Sequence, residues 1–288
     1  MFRLLLIVSF IGLLSACSNM LFFPLKEHLI DPRERGVEYR DIYVDTADNQ
    51  KLHGWLLAPV GDTKGTVLFF HGNGENISTH IGAVYWLPKN GYRVILIDYR
   101  GYGKSQGYAT LDGAIKDIQY SIHYALEHYA DNKPFVVLGQ SIGASMSIYA
   151  VATLSDTQES GKRKSGKQDI DGLVLVAPFS DYQKITREAL SRSWLTWLFQ
   201  VPLSWTINSD YNPDRYIKAV NPVPVYFIHG TDDNIISVEH SAELYRLAMP
   251  PKKRFLIEGG GHNDLAATEK FKEVLLQVLQ DVIALKEK

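Results

Sequence analysis

With one cysteine in 288 residues the chain has no intrachain disulfide, so its apolar core must hold it together. Charge of one sign is also missing. The 30 Lys and Arg stand against 32 Asp and Glu, a formal net charge of −2, and aromatics are not interleaved with basic clusters. Lacking a basic footprint for phosphates, the chain is not expected to bind nucleic acid. There is no H-E-x-x-H string and no cluster at metal-ligand spacing, so neither a metal nor another cofactor is expected. What is present, 45% hydrophobic and 22% charged residues, suffices to bury a sizeable core without a metal or cross-link. One domain with insertions is the simplest organisation.

The N-terminus is a separate object. Arg3 precedes LLLIVSFIGLL, Leu4 to Leu14, a run too short for a stable bilayer-spanning helix but of the length of a secretory core. Residues 1–16 are therefore set apart as a signal peptide. A cut after Ala16 by ordinary signal peptidase would place bulky Leu14 where a small residue is wanted. Leu14-Ser15-Ala16-Cys17 instead resembles the box of a bacterial lipoprotein, which implies an acylated Cys17 and attachment to a membrane. The alternative is a free thiol that leaves with the signal peptide after a cut at Ser18. One acyl chain binds a bilayer only marginally, whereas the two or three chains of lipoproteins anchor stably. Ser18 after the cysteine implies sorting to the outer membrane, facing the periplasm. Residues 17–36 are then expected to be a membrane-proximal tether, with the folded domain spanning 37–288.

From residue 37 onward strand-like and helix-like runs alternate. VEYRDIYV (37–44) and KLHGWLLAP (51–59), joined by turn-forming residues, predict an antiparallel hairpin. Runs at 66–72, 92–100, 134–140, 172–178, 224–230 and 253–259 follow; the central ones are nearly continuous Val, Ile, Leu and Phe, as parallel strands covered on both faces require. Helical patterns at 77–89, 111–129, 141–154, 238–248 and 265–286 lie between them. The expected architecture is an α/β, mostly parallel, doubly wound sheet, whose ligands sit at the C-terminal ends of strands. Two stretches break the rhythm. Residues 155–169 are polar and predict a surface loop, and residues 183–221, with Trp194, Trp197, Phe199 and Trp205, predict a small helical cap.

At 139–143, GQSIG joins a buried strand pattern, FVVLG, to an apolar helical one. That setting puts Ser141 on a sharp exposed turn, and side chains at Gly139 and Gly143 would collide where backbone passes close to backbone. A serine that merely caps a helix would fit the string equally and needs no partners elsewhere. Partners nevertheless follow in order. HGTDD ends one strand and supplies Asp232 and Asp233; GGGHND ends the next and supplies His262. A serine that attacks, a histidine that takes its proton and a carboxylate that orients the imidazole form a triad for acyl transfer. Either Asp232 or Asp233 could be the acid, the other then a turn-former, with Asp181 of APFSD as a further candidate. His229, His53, His123, His128 and His240 are given packing or surface roles. Gly103-Lys104-Ser105 copies the end of a P-loop, but the glycine required five residues before Gly103 is Asp98.

LFFP, GWLLAP, FFHGNGENI, DYRGYGKSQG, GQSIG, APFSD, HGTDD and GGGHND occur in this order between residues 21 and 264. Together they resemble the α/β-hydrolase superfamily, in the branch of serine-aminopeptidase-like hydrolases and membrane-attached depalmitoylases. The resemblance implies the α/β-hydrolase fold and Ser141, Asp233 and His262 as triad. It further implies that the backbone N–H groups of Asn73 and Ile142 form an oxyanion hole, with His71 supporting the loop. The 155–169 insertion departs from the pattern without touching its motifs. The expected activity is hydrolysis of a hydrophobic acyl ester or thioester through an acyl-enzyme. An aminopeptidase-like amidase would use the same triad, though the cap has no distinct carboxylate cluster for a free amine. A silent binding protein of this fold would need a lost triad member, and none is missing.

Overall fold

The computed structural model describes residues 21–154 and 169–287; Cys17, the signal peptide and nearly all of the 155–169 loop lie outside them. Strands β1 (Tyr39–Asp45), β2 (Lys51–Leu57), β3 (Gly65–Phe70), β4 (Tyr92–Ile97), β5 (Phe135–Gln140), β6 (Gly172–Val176), β7 (Val225–Gly230) and β8 (Lys252–Ile257) form one sheet. Their spatial order is β1-β2-β4-β3-β5-β6-β7-β8. β2 pairs antiparallel with β1 and with β4 while the other pairings are parallel, so β2 alone among the described strands runs against the rest.

Helices α1 (Ile77–His80), α2 (Leu111–Tyr129), α3 (Ile142–Ala152), α4 (Tyr182–Ser191), α5 (Gln200–Ser204), α6 (Pro213–Tyr216), α7 (Val238–Leu247) and α8 (Glu269–Lys286) cover the two faces of the sheet and build the cap. Alternation along β3 divides the core. Leu68 and Phe70 join Ile115, Ile118 and Ile122 of α2 on one face, whereas Val67 and Phe69 join Leu275, Val278 and Val282 of α8 on the other. Side-chain caps start the two long helices: Thr110 accepts from Gly113 N–H and Thr268 from Phe271 N–H, each contributing about 1 kcal/mol. β3 lies at the centre with β4 on one side and β5 on the other. Sequential strands diverge at that point, so the loops after β3 and β5 border a crevice, which is where such sheets bind ligands.

Three expectations need revision. The helix expected over 77–89 is a single α-turn, Ile77–His80, followed by 3₁₀ turns at Ile81–Ala83 and Pro88–Asn90. The last helix begins at Glu269 after a separate 3₁₀ turn, Leu265–Ala267. The described part of the expected tether, residues 21–36, is laid on the domain. Phe22 is buried, Leu25 N–H bonds Glu75 O, and Gly103 N–H bonds Leu25 O. Asn76 Nδ2 donates to Leu25 O and Glu27 O, and Ser78 Oγ accepts from Leu29 N–H.

Candidate active site

Ser141 follows β5 with φ 55° and ψ −121°, a left-handed conformation a non-glycine residue adopts only when its surroundings impose it. Those surroundings are tight. A Cβ added at Gly139 would lie 2.5 Å from Ala144 Cα, and one at Gly143 would lie 2.4 Å from His71 O and 2.5 Å from Phe70 O. Only glycine lets the start of α3 close down on β3 and β5, and the turn that results lifts the Ser141 side chain out of the sheet. Ser141 N–H still bonds Val176 O at 2.8 Å, which pins the turn to the end of β6.

The loops after β7 and β8 are locked together in the same way. A Cβ on Gly230 would meet Gly260 O at 2.0 Å, and Asp232 N–H bonds Gly260 O at 3.0 Å. This brings Asp233 and His262 side by side. His262 Nδ1 is 2.6 Å from Asp233 Oδ2 and its Nε2 is 3.1 Å from Ser141 Oγ. With Nδ1–H donating to the carboxylate, Nε2 faces the hydroxyl as an acceptor. Asp233 Oδ1 accepts from the N–H groups of Ile235 and Ile236 at 2.9 and 2.7 Å. Its Oδ2 lies 3.3 Å from His229 Nε2. Burial pushes this carboxyl up, but hydrogen bonds from His229 and His262 outweigh it and hold Asp233 well below the usual carboxylate range. Asp233 therefore stays charged beside the imidazole. The other two candidate acids are engaged elsewhere: Asp232 accepts from Thr231 Oγ1, and Asp181 caps α4 through Lys184 N–H and accepts from Asn212 Nδ2.

Above Ser141 lies a pocket of about 260 Å³ whose apolar wall is Leu21, Phe179, Ile185, Ile235 and Ile236. Ile142 and Asn73 line it as well. Ile142 is the first residue of α3, where N–H groups have no acceptor inside the helix. The Asn73 side chain fixes its own turn, accepting from Phe23 N–H and Tyr102 OH, each at 3.1 Å, and donating to Leu21 O. His71 is fully buried, bonds Gly72 O through Nδ1 at 2.8 Å and packs 4.4 Å from the Tyr99 ring. Burial lowers its pKa to about 4, so it supports the loop as a neutral ring.

Residues 61–219 match the family described as serine aminopeptidase, S33. This chain belongs to that family of α/β-hydrolases. Among its relatives, the uncharacterized protein YfhR of Escherichia coli (strain K12) is 31% identical over 82% of this chain and 77% of its own length. Protein bem46 of Schizosaccharomyces pombe is 26% identical over 89% of this chain and 81% of its own. The fold is shared with the Pyrococcus furiosus esterase Pf2001, at a TM-score of 0.70 and 21% identity over 92% of this chain and 97% of that one.

Within this S33 hydrolase, three features carried no legible signal. His80, hydrogen-bonded to Gln140 and lowered in pKa by burial, lines the pocket. A polar groove of about 610 Å³, bearing Arg35, Glu75 and Lys272, meets the pocket at Asn73, His80, Gln140 and Asn263. Away from the pocket, Asp98 lies among histidines, 2.9 Å from His28 Nε2 and 3.7 Å from both His53 Nδ1 and His71 Nε2. His28, His53 and Asp98 have the donor chemistry of a metal site. Asp98 is already occupied, however. Its Oδ1 accepts from Ile77 N–H at 2.9 Å, and Gly103 is packed so closely that a Cβ there would lie 2.0 Å from Oδ2. The cluster fastens the N-terminal segment and the loop after β4 to the turn after β3.

Proposed function

We propose that this chain hydrolyses acyl esters or thioesters by a double displacement. Ser141 Oγ attacks the carbonyl carbon while His262 Nε2 takes its proton, and Asp233 stabilises the imidazolium that forms. The N–H groups of Asn73 and Ile142 receive the developing oxyanion. Collapse expels the alcohol or thiol, protonated by His262, and leaves Ser141 acylated. Water, deprotonated by the same imidazole, then releases the carboxylic acid. The apolar pocket takes the acyl group and the polar groove the leaving portion. At about 260 Å³ the pocket is just below the usual range for small-molecule sites, roughly 300–1,000 Å³, which suits a short acyl chain or the carbonyl-proximal part of a longer one.

The observation that carries this reading is His262 bridging Ser141 and Asp233 at 3.1 and 2.6 Å beneath an apolar wall. The family description favours a second reading, an amidase for substrates with a free amino terminus. The ester reading is preferred because no Asp or Glu lines the pocket among the described residues, so no carboxylate on the acyl side of Ser141 pairs with an ammonium group; Glu75 lies in the adjoining groove. The test is a panel of p-nitrophenyl esters, acyl thioesters and aminoacyl amides, run alongside labelling by a fluorophosphonate probe. Ester or thioester turnover, with labelling lost in Ser141→Ala, is the expected result. Turnover confined to aminoacyl amides and abolished by N-acetylation of the substrate would establish the second reading instead.

Attachment to the outer membrane through an acylated Cys17 belongs to the same proposal, and Cys17 lies outside the described residues. No helix among the described residues is long and apolar enough to cross a membrane. Cys17→Ser should release the chain from membranes or block its maturation. A processed chain retained as before would exclude acylation as the anchor.

A further inference from the structure

Between Ser193 and Ser209 the cap has no Asp, Glu, Lys or Arg. Its large side chains point outward: Trp194 is 83% exposed, Leu198 72% and Trp205 70%, with Trp197 and Phe199 also exposed. Scattered apolar residues on a surface need no explanation, but a contiguous uncharged aromatic stretch does. This stretch is continuous with the pocket mouth. α4, which brings Ile185 to the pocket wall, runs directly into it, and Arg192 donates to Ile235 O at 2.7 Å, joining the start of the stretch to the loop that supplies Ile235 and Ile236. On the pocket's other constituents, Leu21 forms part of the wall and Phe23, two residues on, is 67% exposed.

We propose that this face rests on a phospholipid bilayer of net negative charge, so that acyl substrates enter the pocket from the lipid. This inference builds on the acyl-hydrolase reading of Ser141. Three observations select a bilayer over a second copy of the chain. The exposed residues are led by tryptophan, which sits at the headgroup level where an apolar body and a polar N–H are both accommodated. In the flanking helix and turn, Tyr182 to Arg192, Lys184 is paired with Glu243, and Arg187 and Arg192 at the end next to the stretch stand against the single acid Glu188, an excess of positive charge that matches anionic headgroups. The chain also leaves the described structure at Leu21, on the pocket wall. The apolar run ending at Leu14 is seven residues upstream, within about 25 Å of extended chain. A protein held by its N-terminus thus has its pocket and its aromatic stretch near the anchoring surface.

The test uses the full mature chain on vesicles of phosphatidylethanolamine and phosphatidylglycerol, with a doxyl quencher on the acyl chains. Trp55 and Trp86 are buried in the domain, so quenching reports Trp194, Trp197 and Trp205. The N-terminal anchor holds parent and variant alike on the vesicle, so quenching reads contact of the cap and not partition of the chain. Strong quenching in the parent is expected, and it should fall at least threefold in the Trp194→Ser/Leu198→Ser/Trp205→Ser variant. Hydrolysis of a vesicle-borne long-chain ester should fall at least tenfold in that variant, with a water-soluble short ester turned over at the parent's rate. Unquenched emission from the parent, whether monomeric or paired with a second copy by sedimentation, would overturn the proposal. Equal quenching of parent and variant would do the same. Failure of the acyl-hydrolase reading shows separately, as absence of fluorophosphonate labelling while quenching persists.

Discussion

Replacing Ser141 by glycine should leave the protein more stable than replacing it by alanine, with activity lost in both. At φ 55° and ψ −121° the serine Cβ crowds the backbone, and a non-glycine residue held in such a region costs about 1–3 kcal/mol. Glycine relieves that cost but gives the unfolded chain more freedom, worth about 0.5–1 kcal/mol. At the middle of the two ranges the difference is a net gain of about 1 kcal/mol. Alanine is the control: it also lacks the hydroxyl and its hydrogen bond to His262 Nε2, yet keeps the Cβ and therefore the strain. Comparing Ser141→Gly with Ser141→Ala isolates the backbone contribution. Near the midpoint, about 1 kcal/mol shifts Tm by about 2–4 °C in a domain somewhat smaller than this one, so the glycine variant should melt roughly 2–4 °C above the alanine variant. Scanning calorimetry with a reversibility check, supported by urea unfolding, reads this directly. Both variants should be silent toward esters and fluorophosphonate. A glycine variant that melts at or below the alanine variant would refute strain at this turn.

Three further outcomes are expected. Gly143→Ala should lose about 1–3 kcal/mol of stability and most activity, because its Cβ would press on His71 O and Phe70 O at 2.4 and 2.5 Å; Gly82→Ala, with open space around it, should stay within about 0.5 kcal/mol by urea unfolding, and equal effects at the two sites would contradict the packing. Asp233→Asn should lower kcat by about 10⁴-fold with the fold retained, since an amide cannot stabilise the imidazolium, and activity above about a tenth of the parent's would return the role to another acid. Stability should fall as pH drops from about 6.5 to 4. In that window the unfolded chain binds a proton at His71 that the folded chain, with this pKa depressed to about 4, does not, a loss of about 3 kcal/mol. Below about pH 4 the depressed Asp98, near 2 when folded, extends the loss as it too protonates. Urea unfolding of His71→Asn should show a flatter pH dependence between 6.5 and 4, and an unchanged slope would exclude His71 as its source.

The sheet could be read from the sequence because its central strands are buried on both faces, and such strands must be nearly continuous Val, Ile, Leu and Phe. The segment after β3 shows where that kind of inference stops. Ile77, Ile81, Val84 and Leu87 recur at helical spacing and all four reach the same core, as the pattern requires. They get there through one α-turn and successive 3₁₀ turns. Periodicity reports which side chains must be buried, and short tight turns ending at Pro88 and Gly91 satisfy it as well as a helix does.

The N-terminal segment and His80 were illegible for a different reason. Residues 21–29 are held by hydrogen bonds to side chains 49 to 70 positions away, those of Asn73, Asn76, Ser78 and Asp98, and by backbone pairing with the loop after β3. Such bonds impose no repeat on the sequence, so the segment has the composition of a tether. Yet the same asparagine whose N–H the family resemblance assigns to the oxyanion hole uses its side chain to grip Leu21 and Phe23. The turn beside Ser141 is therefore fixed partly by a segment that chain order places far from GQSIG, HGTDD and GGGHND. The GQSIG string located the serine because an elbow must be built from small neighbours. It could not locate the pocket, which is closed by Leu21 from one end of the chain and by Ile185 and Ile235 from segments more than 160 residues away.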